Sequence, residues 1–486
     1  MSLVGVDLNS SRARAVAGSA LQRLTRLPLE GEHLELPLLV SLETPSLRIG
    51  QAGLALARRR PHLVCGDFLP YLGSSKQWLA NRHRLDADAA LLAVFQTLSR
   101  TVGRTVGLGF VLPAYLNELQ IARIYQLAQS AGLPLLGSLN VPLAAVLAQG
   151  SQIDQGFYLV VDADSYALSW SVVERTTDQL RVRLVQPNTA LSRTVWIRRL
   201  LEGVAGRCVR QVRRDPRESA ETEQRLYEQL LRLLEKESSG LVQLHVQGEG
   251  WYHHLMLHTE ELTALVAPQL RQLAIEIDSI RSHLASLGRS LNLLVTPQAA
   301  CLPGMMQTLQ RNPSTLAADN PADFGESLLA NSVVSVLSAD MLAGVAHQMA
   351  ARIYGGELPS GHLDAVGLPV LPGIRLDVGP ARLAYAGQDH VLMTSPFTLG
   401  RDPACHLVFA TEQFPHVSAR HCDIVLDQFG YVLHDRSRHG TLLNERPVQQ
   451  AALSPGDWIR LGPTGPVLRF LGQPTERPSC SAAVSR

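Results

Sequence analysis

Hydrophobic spacing divides the chain into two parts of different character. Up to about residue 355, short apolar runs typical of strands alternate with segments whose apolar residues recur every three or four positions, as in helices. This order of strands and helices predicts an α/β fold. The predicted strands are 3–8, 36–41, 106–112, 157–161 and 291–295; the predicted helices are 51–59, 86–101, 117–132, 143–149, 220–237 and 340–352, with one or two more in 259–287 and a β-hairpin in 242–258.

Two asparagines mark helix starts in this first part. Asn117 precedes a helical run that stops at Gly132, with Pro134 beyond it, and Asn140 precedes another run with Pro142 in its first turn. Asparagine is favoured at the N-cap because its side chain accepts a hydrogen bond from an unpaired backbone N–H of the first turn. Both residues are therefore predicted N-caps.

The remainder of the chain is predicted to be an all-β unit between two irregular segments. Residues 356–374 are rich in Gly, Pro and Leu without periodicity, which predicts a linker. Within 375–471, alternating runs such as 422–426 and 431–434 are separated by turn residues and predict half-buried strands. Residues 472–486 are polar and predict a disordered tail.

The composition is that of an ordinary globular protein. The 486 residues are 46% hydrophobic and 18% charged, with a formal net charge of +1, and at ~150 residues per domain they suggest two or three folding units. Near-neutral charge favours neither nucleic acid nor an anionic membrane. The six cysteines lack CxxC spacing and fit a reducing compartment.

Two apolar segments of the chain do not have the pattern of an export signal or a membrane span. The N-terminus lacks the basic and apolar pattern of a signal peptide, because Asp7 interrupts its apolar run. The apolar stretch 328–351 contains polar residues and predicts a core helix instead of a membrane span. We therefore expect a cytoplasmic protein with no membrane insertion and no nucleic-acid partner.

Three loops of the second part carry residues suited to a phosphate. Arg401 follows Gly400, Ser418 opens the run Ser-Ala-Arg-His, and a third loop reads Ser-Arg-His-Gly-Thr. Guanidinium groups form bidentate bonds with phosphate, and a hydroxyl adds a donor. This ordered set, with Asn444 and the Pro-Gly-Asp-Trp turn at 455–458, closely resembles the forkhead-associated (FHA) domain, a β-sandwich family that binds phosphothreonine peptides.

The resemblance implies a role for each matching position. Arg401 and Ser418 would contact the phosphate, while His439 replaces the family's Asn that holds the peptide backbone. His421 occupies the position of a histidine that braces the loop. The implied phosphopeptide-binding residues are Arg401, Ser418, Arg420, His439 and Asn444, and the implied braces are Gly400, His421 and Gly440.

A second resemblance lies in residues 111–150, VLPAYLNELQIARIYQLAQSAGLPLLGSLNVPLAAVLAQG. The beginning and end of this run are similar to the V-P-A-Y-F-N and N-E-P-T-A-A-A runs of seventy-kilodalton heat-shock chaperone ATPases, which belong to the actin-like superfamily. The resemblance covers about residues 1–355. It implies a two-lobed, actin-like α/β fold in which two hairpin loops hold ATP and magnesium.

The loops that would hold the nucleotide depart from that family. The first keeps Asp7, but D-L-G-T-T has become Asp-Leu-Asn-Ser-Ser; the second keeps Asp162, loses its three glycines and adds Asp164 as a like charge beside the phosphates. The catalytic Glu falls on Val141, the phosphate-contacting Lys falls near Leu69, and the adenosine loop 295–303 lacks both glycines. The predicted vestiges of the nucleotide loops are Asp7, Ser10, Ser11 and Asp162.

No catalytic residue, metal site or cofactor is therefore predicted. His253 and His254 are adjacent in a predicted strand, so they should point to opposite faces and not share a metal. We expect a phosphothreonine-binding adaptor with a chaperone-type pseudo-ATPase body, whose partner is the phosphothreonine-containing product of a Ser/Thr kinase. One alternative is a chaperone-like ATPase that binds ATP with magnesium and is regulated through its FHA domain. A second is a purely structural assembly subunit.

Overall fold

The computed structural model describes residues 2–19, 24–150, 155–177, 179–235, 240–286, 291–310, 334–367, 381–392, 394–427, 430–453 and 456–472. The chain divides into two compact units, Met1–Ile374 and Arg375–Arg486.

The first unit begins with β1 (Leu3–Leu8), β2 (Arg12–Gly18), β3 (Thr25–Leu27), β4 (Glu35–Pro37), β5 (Val40–Ser41), β6 (Arg48–Ile49), α1 (Gln51–Leu54), β7 (Val64–Cys65), β8 (Gln77–Ala80), β9 (His83–Asp86), α2 (Ala87–Val102), β10 (Gly107–Leu112), α3 (Glu118–Ser130), β11 (Leu135–Asn140) and α4 (Val141–Leu147). It continues with β12 (Gly156–Ala163), β13 (Leu168–Arg175), β14 (Gln179–Asn188), α5 (Arg193–Val212), α6 (Ala220–Leu233), β15 (Leu241–Gly248), β16 (Trp251–His258), α7 (Thr259–Leu265), α8 (Ala267–Ser286), β17 (Leu291–Val295), α9 (Pro297–Ala300), α10 (Met305–Gln310), β18 (Val334–Val336), α11 (Met341–Tyr354), β19 (Gly361–Leu363) and β20 (Ala365–Gly367).

Two mixed sheets of the first unit have the same internal order. In the first sheet β3, β2 and β1 are antiparallel neighbours, and β10 and β11 then add in parallel to β1. In the second sheet β14, β13 and β12 are antiparallel neighbours, and β17 and β18 add in parallel to β12. The turn between β1 and β2 therefore corresponds to the turn between β12 and β13.

Helices cover both faces of the first sheet. Val4 and Val6 of β1 share a core with Phe95 of α2, and α11 lies against the other face of β1 and β10. At Gly5 a Cβ atom would lie 2.0 Å from the Ala343 carbonyl oxygen. Glycine at this position lets the helix approach the strand closely, as continuous burial on both faces of a parallel sheet requires.

The predicted helix starts are confirmed. The side chain of Asn117 accepts a hydrogen bond from the Gln120 N–H at 2.9 Å, and Gln120 bonds back to complete a capping box. The side chain of Asn140 accepts from the Leu143 N–H at 3.1 Å. The segment 259–287 contains two helices, α7 and α8, and the hairpin of β15 and β16 is also confirmed.

Residues 361–367 correct part of the predicted linker. β19 pairs in parallel with β11, and β20 pairs antiparallel with β14, so this segment adds an edge strand to each sheet. Three-residue strands are too short to show an alternating pattern, and their pairing partners are distant in the sequence. Residues 368–374 lie outside the described part of the chain.

Two predicted helices are shorter than expected. The segment 328–351 is not one helix, because residues 334–336 form β18 and α11 begins only at Met341; residues 328–333 are not described. The predicted helix 51–59 is limited to α1, after which the chain continues in turns. Both segments are rich in apolar residues, which is why each was predicted as one continuous helix. In the first segment, residues 334–336 form a strand instead because they pair with β17.

The second unit is a β-sandwich. Its strands are β21 (Arg382–Tyr385), β22 (Gln388–Val391), β23 (Phe397–Gly400), β24 (Leu407–Val408), β25 (Cys422–Asp427), β26 (Gly430–Asp435), β27 (Thr441–Leu443), β28 (Arg446–Val448), β29 (Gln450–Ala452), β30 (Trp458–Leu461) and β31 (Val467–Gly472). One sheet has the order β22-β21-β31-β30-β27-β28 and the other β24-β23-β25-β26-β29. Their inner faces share a core that includes Leu383, Leu399, Ile424 and Phe470. The predicted tail lies outside the described residues, apart from Gly472, which ends β31.

Candidate functional site

Hydrogen bonds join three loops at one end of the sandwich. Arg401 follows β23, Ser418 precedes β25, and Arg438 lies between β26 and β27. The Arg401 N–H donates to the Ser418 carbonyl at 3.1 Å. The Arg438 N–H donates to Ser418 Oγ at 3.1 Å. Ser418 therefore lies between the other two loops.

His421 braces this arrangement from within the sandwich. Its ring is fully buried, its Nδ1 accepts from the Ser418 N–H at 3.0 Å, and its Nε2 donates to the Gly440 carbonyl at 3.2 Å. Burial lowers the pKa of His421, which favours the neutral ring that can accept at one nitrogen and donate at the other. A Cβ atom on Gly400 would lie 2.1 Å from the Ala419 carbonyl oxygen, so only glycine permits this approach of the two loops.

Donors of Arg401 and Ser418 remain available at this end of the sandwich. Arg401 Nε donates to the Val417 carbonyl and Nη1 donates to Thr411 Oγ1 at 3.2 Å. These two bonds orient the guanidinium, and its Nη2 has no partner among the described residues. A hydroxyl offers one donor and two acceptor positions, and Ser418 Oγ uses an acceptor position for Arg438. Its O–H finds no acceptor in the described part of the chain.

The other predicted site residues differ in their surroundings. Arg420 and His439 are exposed near Ser418, and the His439 ring meets the His416 ring edge-to-face at 5.2 Å. Asn444 is held by β30: its Nδ2 donates to Asp457 at 2.9 Å, and its Oδ1 accepts from the Trp458 N–H at 3.0 Å. Its side chain is engaged in fixing the β27–β28 turn, so we now assign it a bracing role.

The corresponding turns of the two sheets in the first unit bond to each other. The Ser10 N–H donates to Asp164 Oδ2 at 3.0 Å, and the Ser165 N–H donates to Ser11 Oγ at 2.8 Å. The two turns are thus in direct hydrogen-bonding contact.

Asp164 is the centre of this contact. Its buried carboxylate accepts four hydrogen bonds: from the Ser10 N–H, from Tyr115 Oη at 2.5 Å, and from the N–H groups of Tyr166 and Ala167 at 2.9 and 3.0 Å. Desolvation by burial still raises the pKa of Asp164 despite these bonds. Donors at the β1–β2 and β12–β13 turns are therefore directed at a carboxylate of the protein itself.

A buried ionic cluster lies beside the β1–β2 turn. Arg12 bonds to Glu35 and lies 4.0 Å from the Asp7 carboxylate, while Gln298 Oε1, in the amide orientation that satisfies its neighbours, accepts from Arg12 Nε at 2.7 Å and Arg193 Nη1 at 2.9 Å. Burial raises the pKa of Asp7, because desolvation outweighs the attraction of Arg12. Asp7 Oδ1 has no hydrogen-bond partner among the described residues.

Asp162 lies at the end of β12, next to the β12–β13 turn. Thr296 Oγ1 donates to its Oδ1 at 2.8 Å. Burial and the neighbouring charge of Asp164 raise the pKa of Asp162 to about 7.

The histidines of the β15–β16 hairpin do not all diverge. His253 and His254 point to opposite faces as predicted, but His254 Nδ1 lies 2.8 Å from Nδ1 of His245, its partner across the strands. In the described residues, no group of three or more His, Cys, Asp and Glu side chains is arranged to hold a metal. Within the same residues, no helix is long and apolar enough to cross a membrane.

The sandwich loops match a known family. Residues 397–462 fit the family model of the FHA domain. This segment is an FHA domain.

The N-terminal region has weaker relatives. It is similar to the Chaperone protein HscA homolog of Neisseria meningitidis serogroup B (strain ATCC BAA-335 / MC58), with 25% identity, 38% of this chain covered and 34% of the relative covered. The same protein from serogroup A / serotype 4A (strain DSM 15465 / Z2491) matches with the same values. The match spans about a third of the relatives' length, and it shows weak homology to Hsp70-type chaperones.

Two contacts of the FHA domain were missed by sequence reasoning. Thr411 orients the Arg401 guanidinium, and the backbone N–H of Arg438 bonds to Ser418. A threonine in a polar loop gives no signal that it faces an arginine, and a backbone N–H leaves no trace in residue type. The Ser-x-x-His motif itself gave the position of Ser418 and of the His421 brace.

Proposed function

We propose that this protein is an adaptor that binds phosphothreonine peptides through its FHA domain and carries a nucleotide-free, chaperone-type body. The phosphate would lie between Arg401 and Ser418. Its source is a phosphothreonine-containing protein, which implies a Ser/Thr kinase upstream.

The observation that supports this proposal is the set of unused donors at Arg401 and Ser418. Thr411 and the Val417 carbonyl fix the arginine, and His421 fixes the serine loop. Donors that are oriented before binding cost little conformational entropy when the ligand arrives. Charge-assisted hydrogen bonds to a phosphate are also about twice as strong as neutral ones.

The contact between the two turns of the body supports the proposal that the body binds no nucleotide. Two sheets of identical strand order, with equivalent turns facing each other, are consistent with an actin-like fold that would hold a triphosphate between those turns. Asp164 occupies the donors of both turns, and its charge would repel a phosphate. Together with Val141 at the position of the catalytic Glu, this arrangement does not fit ATP with magnesium. Asp7 Oδ1, which is buried and has no hydrogen-bond partner in the described part of the chain, is the feature that a magnesium-bound water would suit.

The proposed setting is cytoplasmic. Within the described part of the chain, no disulfide is formed by Cys65, Cys208, Cys301, Cys405 or Cys422, as is usual in a reducing compartment. The FHA domain would connect kinase signalling to an assembly that the body binds.

A pull-down with a degenerate phosphothreonine peptide library tests this function. The full chain should enrich phosphorylated over unphosphorylated peptides, and Arg401→Ala or Ser418→Ala should abolish the enrichment. Arg382→Ala is the matched control. Arg382 lies on β21 and forms an ion pair with Asp389 on the neighbouring strand β22, away from the three loops. Equal recovery of phosphorylated and unphosphorylated peptides would refute the proposal.

A further inference from the structure

Two arginines of the FHA domain have no contact that explains them: Arg438, and Arg420, whose role in peptide binding is implied by the family resemblance alone. Arg420 and Arg438 are both exposed, and neither forms an ion pair within the described residues. Their neighbours are already engaged: Arg401 is held by Thr411, and Arg436 Nε pairs with Asp423 Oδ2 at 2.5 Å. The two unengaged guanidinium groups are therefore available to a ligand.

Both arginines belong to the loops that meet at Ser418. Arg420 lies two residues after Ser418 in the same loop, and the backbone N–H of Arg438, in the third loop, donates to Ser418 Oγ at 3.1 Å. The backbone N–H of Arg401 donates to the Ser418 carbonyl. Three loops thus bring the backbones of three arginines close to Ser418.

Most acidic side chains of these loops are engaged internally. Asp402 Oδ1 accepts from the Ala404 N–H at 2.9 Å, and Asp435 Oδ1 accepts from Thr441 Oγ1 at 2.6 Å. Asp423 is buried against Arg436. Glu412 is exposed, but it belongs to the loop that orients Arg401 through Thr411. Among the described residues, no acidic side chain forms an ion pair with Arg420 or Arg438.

We propose that Arg420 and Arg438 form a second anion subsite, so that the FHA domain prefers phosphothreonine peptides with a second phosphate close by in the sequence. This inference rests on the proposed function, because Arg401 and Ser418 would take the first phosphate. A phosphate carries roughly −1.5 to −2 charges at pH 7, more than one guanidinium neutralises. An extended peptide advances ~3.3 Å per residue, so a second phosphate within a few residues of the first lies within the reach of an arginine.

The test compares peptides that differ only in the second phosphate. A phosphothreonine peptide selected by the full chain is synthesised with phosphoserine, glutamate or alanine at each of the neighbouring positions on both sides. Affinities are measured by calorimetry. We expect phosphoserine at one or more positions to raise the affinity at least about fivefold over alanine, which is the upper range for one exposed ion pair. Glutamate should give a smaller gain.

The variants separate this subsite from general attraction. The double substitution of Arg420→Gln with Arg438→Gln should remove the gain from phosphoserine. Arg438→Gln alone, which keeps the backbone N–H on Ser418 and lies outside the residues implied to bind the first phosphate, should reduce that gain and leave binding of the singly phosphorylated peptide within about twofold. Arg436→Gln is the control, because its charge is already paired with Asp423. It should leave the gain intact.

Three results would overturn the inference. The second phosphate could give no gain at any position, the double variant could keep the gain, or Arg436→Gln could lose it equally. In each case the singly phosphorylated peptide would still bind, and the proposed function would stand. Failure of every phosphopeptide to bind would overturn both.

Discussion

Asp164 shows how many contacts one buried side chain can make. A carboxylate with four donors around it resembles a bound anion in its hydrogen bonding, and here the anion is part of the chain. The sequence alone suggested only repulsion of a nucleotide. The structure adds that Asp164 also connects the two turns, so we expect it to stabilise the body.

Asp164→Ala should therefore destabilise the body strongly. It would leave the backbone N–H groups of Ser10, Tyr166 and Ala167 without this acceptor, and each such group costs about 1–3 kcal/mol. We expect a total loss of about 3 kcal/mol or more in the free energy of unfolding, measured by denaturant titration. Asp164→Asn keeps one acceptor oxygen and should lose less. An unchanged midpoint for the alanine variant would contradict this role.

Asp162 gives a pH-dependent prediction. Burial and the neighbouring charge of Asp164 raise its pKa from the ordinary value of 3.8 to about 7 in the folded protein. The folded state therefore binds the proton more tightly, and this stabilisation is complete below pH ~4 and is lost as the pH rises through about 7. Asp162→Asn keeps an acceptor for Thr296 and removes the charge. The variant should gain stability relative to the wild type as the pH rises from about 4 to about 7, by up to about 4 kcal/mol.

Thermal melting at several pH values measures this difference. Because Asp7 and Asp164 titrate in both proteins, the informative quantity is the melting temperature of the variant minus that of the wild type. It should increase from about pH 4 to about pH 7 and level off above that. A constant difference, or one that decreases with pH, would show that the Asp162 carboxyl is not perturbed in the folded state.

Individual helices show which elements depend on local sequence. α3 begins at a capping box of Asn117 and Gln120, and its last turn is followed by Gly132 with a positive φ of 71°. These signals lie within a few residues of one another. The helix start could thus be predicted without knowledge of the rest of the fold.

Asn117→Ala should cost about 1 kcal/mol, within the 0.5–2 kcal/mol typical of a lost N-cap. The Gln120 N–H would lose its acceptor, and the first turn of α3 would rely on water. The measurement is the denaturant midpoint of the full chain. Asn117→Ser, which retains an acceptor oxygen, should lie close to the wild type. Equal losses for serine and alanine would contradict a capping role.

Elements with distant partners could not be predicted in this way. β19 pairs with β11 across more than two hundred residues, so a three-residue strand looked like linker. The contact between Tyr115 and Asp164 likewise depends on how the two sheets meet. Arg401 and Ser418 could be predicted because the FHA motif has a fixed order and spacing. The contact of Arg438 with Ser418 could not, because its backbone N–H makes it.

At the scale of the molecule, we propose that phosphate is bound by the FHA unit and not by the body. The relatives are chaperones of Hsp70 type, so the alternative hypothesis is that the body still binds ATP. Calorimetric titration of the full chain with ATP and magnesium should show no binding. Micromolar binding that Asp7→Ala abolishes would overturn the pseudo-ATPase proposal and favour the regulated ATPase.

The proposed adaptor depends above all on recognition of a phosphothreonine by the FHA loops. Calorimetry of the full chain with one library-selected peptide, in its phosphothreonine and threonine forms, measures that recognition. We predict one-to-one binding of the phosphorylated form, no detectable binding of the threonine form, and at least a tenfold loss in Arg401→Ala, the equivalent of about 1.4 kcal/mol. Equal affinity for both forms, or full affinity in the Arg401→Ala variant, would contradict the proposal.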